Sequence, residues 1–439
     1  MGENTRKEHS SFKHIVVDEL PNGWQAKRFS DLVKFRMGKT PPRNRDEYWD
    51  KGVYPWVSIA DMQPFRTVTN TKEKVSEEAH KQVFHRNLVP TGSLLMSFKL
   101  TIGRVAKLGL PAYHNEAIIS FRPDDMDIDS DFLFYHLGQL NYVNYQDTAV
   151  KGQTLNKGKL EQLEIALPPF REQQKIAAVL GTVQRAIEEQ ERLLRLTTEL
   201  KKSLLHKLFT EGLRGEPQKQ TEIGPVPESW ELVPLGSLAK IGNGSTPKRD
   251  NDGYWRGGAI PWLNSTKIHD RFITEADQFV TELAVKECHL PHVQPGSLLI
   301  AITGQGKTLG NSALVSFQTC INQHLAYAQF ITSSVLSEFV LWFMQTRYDH
   351  LRSISQAGGS TKGALTCGYL KTYLVPVPAL DEQHEIANVF TAMDLKEKTQ
   401  QHKHTALTDL FRTLLHQLMT AEIRANKVDI RVLNNPKGG

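Results

Sequence analysis

One pattern in this chain limits its possible folds more than any other: the sequence is written twice. Tyr48-Trp49-x-x-Gly52-x-x-Pro55-Trp56 returns as Tyr254-Trp255-x-x-Gly258-x-x-Pro261-Trp262, with residues 56 and 262 standing 206 apart. Gly38-Lys39-Thr40-Pro41 matches Gly244-Ser245-Thr246-Pro247, and Pro21-x-x-Trp24 matches Pro227-x-x-Trp230, at the same separation. The register then drifts by a few residues. Gly92-Ser93-Leu94-Leu95 pairs with Gly296-Ser297-Leu298-Leu299, Gly103 with Gly310, Asn115 with Asn322, and Glu172-Gln173-x-x-Ile176 with Glu382-Gln383-x-x-Ile386. A unit of about 200 residues is too long for a solenoid repeat, so this is a duplicated domain with an extension.

Each copy has two parts. The first, 21–168 and 227–377, is rich in Gly, Pro, Trp and Thr, with short apolar bursts such as Leu94-Leu95-Met96 and Leu298-Leu299-Ile300-Ala301-Ile302 that read as strands between turns. Helical patterns at Phe132-Leu133-x-Tyr135-His136-Leu137 and Phe339-Val340-x-Trp342-Phe343 make each globule α+β. The second part, 169–213 and 378–424, carries a 3/4 apolar alternation over several heptads, opened by prolines. A helix of that length runs on the order of 60 Å, too long for the surface of a small globule. The expectation is two long helices that bury their stripes on each other, with Ile176, Val183, Gln190 and Leu204 in one heptad series and Ile386, Met393, Gln400, Leu407 and Leu414 in the other. Gln190 and Gln400 are either solvated seam positions or a polar layer that fixes register. Residues 1–20 read as an arm, 214–226 as a linker rich in breakers and polar residues, and 425–439 as a tail.

The search for catalytic chemistry is mostly empty. Ala301-Ile302-Thr303-Gly304-Gln305-Gly306-Lys307-Thr308 resembles a phosphate loop, but Leu309-Gly310-Asn311-Ser312 is a poor helix start and the first copy lacks the Gly-Lys-Thr. No His-Glu-x-x-His, Gly-x-Ser-x-Gly, Asn/Asp-Pro-Pro-Tyr/Phe or glycine-rich dinucleotide fingerprint is present. Three scattered cysteines suggest neither a disulfide framework nor a zinc site, and no metal is expected. No run of about 18 apolar residues and no signal-like start occur, so the expectation is a cytoplasmic protein with no membrane partner. The net charge of +5, from 53 Lys and Arg against 48 Asp and Glu, permits nucleic-acid binding without requiring it.

What remains are polar, basic loops at matching places. The first holds Lys39, Thr40, Arg43, Asn44 and Arg45, matched by Ser245, Thr246, Lys248 and Arg249. The second holds Lys99 and Arg104, matched by Gln305 and Lys307; Asn311 stands where Arg104 would be. The third holds Gln153, Thr154 and Lys157, matched by Thr361 and Lys362. Such residues on turns hold phosphates and read base edges. The repeated Tyr-Trp and Pro-Trp pairs stack on bases or, more commonly for such rings, pack in the core. A kept scaffold with changed loop tips suggests two readers of two sequences.

The chain resembles the specificity (S) subunit of type I restriction-modification systems. The resemblance rests on Thr221-Glu222-Ile223-Gly224-x-Val226-Pro227-Glu228-x-Trp230, the paired Gly-x-Thr-Pro loops, Gly-Ser-Leu-Leu and Leu167-Pro168-Pro169-x-x-Glu172-Gln173-x-x-Ile176, and it covers about 21 to 424. It implies a mixed α/β chain: two α+β target recognition domains joined by two long antiparallel helices, a coiled-coil spacer, with an internal pseudo-two-fold repeat. Each domain would read one half of a bipartite, asymmetric double-stranded DNA site. The helices would set half-site spacing and dock two modification (M) subunits for adenine N6 methylation, while restriction (R) subunits join for cleavage. The S subunit would be non-catalytic and hold no cofactor; S-adenosylmethionine, ATP and Mg would belong to its partners in a prokaryotic cytoplasm. A repeated Thr-Ala-Glu-Leu tract that tunes spacing in some members is reduced here to a single Thr197-Thr198-Glu199-Leu200. The rival readings are a coiled-coil assembly scaffold and a standalone type II-like methyltransferase or nuclease fragment.

Overall fold

A computed structural model describes residues 20–123, 127–145, 147–149, 152–304, 307–357 and 365–425. The chain divides into two compact units, one built from residues up to Arg192 and from His402 on, the other from Leu193–Gln401. Each contains one end of both long helices, Phe170–Glu211 and Leu380–Met419.

The two globules repeat one topology strand for strand. In the first unit a five-stranded sheet runs Val33–Met37, Ile118–Pro123, Leu94–Ser97, Val105–Leu108, Arg66–Val68, and a three-stranded sheet runs Glu73–Val75, Tyr54–Val57, Tyr113–His114. In the second unit the orders are Ala239–Asn243, Leu325–Phe330, Leu298–Ala301, Ser312–Val315, Phe272–Ile273 and Gln278–Val280, Ile260–Leu263, Cys320–Ile321. The apolar bursts become central strands because both faces are covered. Leu94 and Met96 enter the core that includes the Ser130–Gln139 helix, while Leu95 enters a second core with Val57, Met62 and Val68. Leu298 and Ile300, against Leu299 and Ala301, repeat this division. A continuous apolar run fits a strand buried on both sides.

An antiparallel strand pair closes each globule and leads into a long helix: Gln25–Arg28 with Glu164–Leu167, and Glu231–Pro234 with Leu374–Val377. The Pro-x-x-x-Glu-Gln signature, from Pro168 and Pro378, then locks that helix to its globule. Gln173 Oε1 accepts from Asp129 N at 2.9 Å, and its Nε2 donates to the carbonyls of Asp127 (3.1 Å) and Pro168 (3.0 Å). Gln383 repeats this with Leu336 N (2.7 Å) and the carbonyls of Ser334 (2.9 Å) and Pro378 (2.8 Å). A buried amide satisfied at three of its four places is a strong local constraint.

The helical stripes are not reserved for each other. Ile176, Leu180 and Ile187 join Phe411, Leu415 and Leu418 in the same core as Phe132, Leu133 and Tyr135 of the globule. Ile386, Ala387 and Phe390 join Leu208 and Phe209 in a core with Phe339, Trp342 and Phe343. Fully apolar globule surfaces lie within reach, and burying three surfaces together removes more apolar area from water than pairing two. Within each unit the helical segments run antiparallel: Glu172 meets Arg424 and Glu191 meets His404 in the first, while Thr197 meets Gln400 and Leu213 meets Glu382 in the second. Val183, Leu204, Met393, Leu407 and Leu414 are partly buried in these cores. Gln190 is buried with no partner for its Oε1 among the described residues, whereas Gln400 is half-buried and accepts from Thr197 Oγ1 at 3.2 Å. The segment expected to be a linker, 214–226, instead forms a hairpin of Gln218–Thr221 with Gly224–Pro227. Its turn is Glu222-Ile223, and Gly224 at φ +104 opens the returning strand.

Candidate nucleic-acid interface

The Gly-x-Thr-Pro loops are built identically in the two units. Gly38 must be glycine: a Cβ there would lie 2.0 Å from the Asn115 carbonyl, and at Gly244 1.8 Å from that of Ile321. The repeated tryptophans hold the loop from below. Trp56 Nε1 donates to the Lys39 carbonyl (3.0 Å) and Trp49 Nε1 to that of Pro42 (3.2 Å). Trp262 and Trp255 do the same to Ser245 (3.2 Å) and Lys248 (2.9 Å). Each tryptophan pair meets edge to face at 5.2 Å. These rings therefore pack as framework, and an arginine covers their open face: Arg43 sits 3.9 Å over Trp49 and Arg249 3.9 Å over Trp255.

The second and third loops join the first through one chain of bonds. Thr40 Oγ1 bonds Glu116; the neighbouring Ala117 carbonyl accepts from Phe98 N at 2.9 Å; and the Phe98 carbonyl accepts from Leu155 N at 2.9 Å. In the second unit Thr246 bonds Gln323, the His324 carbonyl accepts from Ile302 N at 3.0 Å, and the Ile302 carbonyl accepts from Leu365 N at 2.7 Å. Three segments distant in sequence thus lie side by side in each unit. Glu116 and Gln323 adjoin the candidate loop residues and were not singled out from sequence, although each directly follows the repeated Asn115 and Asn322.

The individual candidates differ in what they have left to offer. Arg43 is tied to Glu73 through Nη2 at 3.0 Å, and that bond leads in pushing its guanidinium further up. Arg249 instead meets the neutral Gln278 at 2.7 Å. Arg45 donates to Tyr48 Oη at 3.1 Å and pairs with Glu47 at 3.6 Å. Lys39 donates to the Val83 carbonyl at 3.3 Å. Arg104 holds the Ile59 and Met62 carbonyls at 3.1 and 3.3 Å, a fold-internal task. Lys99 lies 5.3 Å over Phe98, and Lys157 pairs with Glu161 at 3.7 Å on the helix capped by Asn156. Asn44, Lys248 and Lys307 are exposed and make no side-chain hydrogen bond or ion pair among the described residues. Ser245 donates its backbone N–H to Ile321 O at 3.1 Å. Gln153 and Thr154 lie on the strand Gly152–Thr154. Gln305, Thr361 and Lys362 lie outside the described residues.

The phosphate-loop look-alike is not one. No helix opens after Lys307: the next element is the strand Ser312–Val315, and the Lys307 carbonyl is held by Asn311 Nδ2 (2.6 Å) and Tyr348 Oη (2.8 Å). Among the described residues no group of three His, Cys, Asp or Glu is placed to hold a metal, and no helix is long and apolar enough to cross a membrane.

A family described as the type I restriction modification DNA specificity domain matches the chain twice, at residues 21–197 and 227–408. A putative type I restriction enzyme MjaX specificity subunit of Methanocaldococcus jannaschii is 25% identical over 428 residues, spanning 94% of this chain and 97% of its own. The MjaIX specificity subunit of the same organism is 26% identical, spanning 75% of this chain and 77% of its own. The crystal structure of a type I restriction-modification S subunit from M. genitalium shares the fold, with a TM-score of 0.61 at 15% identity over 91% of this chain and 97% of that one.

Proposed function

The chain belongs to the type I restriction modification DNA specificity family, and from that premise we propose that each of its two units reads one half of an asymmetric, bipartite DNA site. The observation that carries the proposal is the chain of bonds that sets three loops side by side in both units while their tips differ. Thr40–Glu116 becomes Thr246–Gln323, and Arg43–Glu73 becomes Arg249–Gln278. Two identical frames with different donor sets select two different sequences, as base-edge readout requires.

In this reading the chain supplies address rather than chemistry. Adenine N6 is inside the base stack, so a modification subunit must flip the base out and bring S-adenosylmethionine to it. The helical segments dock two such subunits and set the half-site spacing, and restriction subunits add ATP- and Mg-dependent cleavage. The assembly works in the cytoplasm of a prokaryotic cell. Asn44, Lys248 and Lys307, unengaged by the fold, are the first residues to meet DNA.

The test is to express the chain with its modification partner and map N6-methyladenine in the host genome. Replacing residues 227–377 by those of a relative should then change one half of the methylated sequence only. A change in both halves, or in neither, would end the two-reader proposal.

A further inference from the structure

We propose that the first unit carries a clamp for a DNA backbone phosphate, which the second unit lacks, in the basic cleft of Arg36, Lys39, His85 and Arg86. The inference rests on the reading of the chain as a DNA reader and deepens it by naming the group that one half-site presents there.

The cleft has a volume of about 400 Å³. Arg36 comes from the strand Val33–Met37, Lys39 from the Gly-x-Thr-Pro loop, and His85 and Arg86 from the turn after the helix Glu77–Gln82. Phe84 and Tyr113, stacked at 3.8 Å, form part of its wall. His114 also lines it; burial pushes that imidazole down to about 4, so it is neutral at pH 7. Among the described residues no Asp or Glu lines the cleft. Arg36, Lys39 and Arg86 are exposed, and none forms an ion pair among the described residues. That sets them apart from Arg43 and Arg45, whose charges Glu73 and Glu47 already answer. Three cations facing one cleft without a carboxylate are complementary to an anion.

The turn is shaped for this at a local cost. His85 and Arg86 are consecutive left-handed residues at φ +50 and +59, a conformation that side chains with a Cβ adopt rarely. Arg86 N to the His80 carbonyl (2.8 Å) and Asn87 N to the Phe84 carbonyl (3.0 Å) hold the turn. Asn87 Oδ1 in turn accepts from Arg36 at 2.7 Å and so fixes that guanidinium over the cleft. In the second unit Gly242 and Ser245 stand at the places of Arg36 and Lys39. The matching turn, Cys288–Val293, contains no Arg or Lys and a single left-handed residue, His289. A phosphodiester and a free phosphate offer the same oxygens. The shared Lys39 makes the cleft continuous with the loop interface, which favours the DNA backbone.

The test uses the full chain with its modification subunit and a duplex bearing the mapped site. In Arg36→Gln/Arg86→Ala, Gln keeps a donor for Asn87. The slope of log affinity against log salt should flatten by about one to two, at roughly 0.9 per lost phosphate contact. Arg86→Gln alone should give about half of that change. Neutral methylphosphonates placed one at a time should weaken the wild type roughly five-fold at one or two positions, all in the half read by the first unit. They should leave the double variant unaffected at those positions. Specific retention of the duplex by the wild type with an unchanged slope in the variants overturns the clamp alone. Saturable binding of inorganic phosphate or ATP that the double variant loses, with a flat methylphosphonate scan, overturns the assignment to DNA. Failure of the wild type to retain the site at all ends the DNA-reader reading, and the clamp with it.

Discussion

In the second unit the seam between globule and helices holds Lys201, whose ammonium lies 4.9 Å over the Trp342 ring and 2.8 Å from both Asp394 and Glu397. Arg271 reaches the same Asp394. At the matching place in the first unit Phe411 replaces Lys201 and lies against Tyr135 at 6.0 Å and Phe65 at 5.6 Å. Gln184 replaces Asp394 and bonds Glu188 at 3.1 Å. The equivalent arginine, Arg66, turns instead to Glu188 and Glu191. Burial pushes the Asp394 carboxyl up, yet Lys201, Arg271 and Lys398 outweigh it and leave the group below its ordinary value. The buried histidines run the other way: His114 and His136 of the first unit stand where the second has Ile321 and Phe343. One backbone thus accepts either a buried Lys–Asp pair or a Phe with a Gln at these two places, provided that both partners change together. That is the behaviour expected when the Coulomb gain of a buried pair roughly offsets its desolvation.

The largest effect follows from splitting the charged pair. Lys201→Met leaves Asp394 with less compensation and should destabilise the second unit by about 3–5 kcal/mol in a guanidinium melt. Exchanging both, Lys201→Phe with Asp394→Gln, sets the first unit's residues at these two places and, with Glu397 left to Thr198 Oγ1 at 2.9 Å, should recover much of that loss. A double variant as weak as the single one would show that the seams are not interchangeable.

The next effect separates the units by pH. His136 is buried with no hydrogen-bond partner on either ring nitrogen among the described residues, and burial holds it at about 4 against an ordinary 6.5. Between those values the unfolded chain binds a proton that the folded one refuses. Stability is therefore full above pH 6.5 and falls as pH drops towards 4, by up to about 3 kcal/mol. His136→Phe should remove the His136 share of this fall and leave that of His114, also held at about 4, read as melting temperature against pH. Superimposable profiles for the two proteins would remove His136 as its source.

The smallest effect concerns the loops. Glu73→Gln with Glu116→Gln gives the first unit the neutral setting of the second and releases Arg43. Stability should change by less than about 1 kcal/mol, because the Arg43–Glu73 pair is exposed. The salt dependence of DNA binding should steepen by about one phosphate contact. No change in slope would mean that Arg43 serves only the Trp49–Trp56 framework.

Much of this architecture was legible from the chain alone. The repeat announced two equivalent globules, the proline-led heptads announced both long helices, and Glu172-Gln173 with Glu382-Gln383 marked where helix meets globule. The loops at 38–45 and 244–251 were also named from sequence, but what each residue has left for a ligand was not. Arg104 spends its donors on the Ile59 and Met62 carbonyls, and Arg43 meets a carboxylate 30 residues away. No periodicity reports such partners. Arg36 and Arg86 occur in one copy only and lie 50 residues apart, so no repeat in the sequence marks them.

Duplication, helix length and the position of every scaffold glycine and tryptophan are properties of sequence, because they depend on spacing and on local steric and hydrogen-bonding rules. Which cations remain unpaired, which seam is charged and which cleft lacks a carboxylate were decided only by the tertiary fold. Electrostatic and packing energies depend on distances through space, and the chain folds back too often for sequence separation to stand in for them.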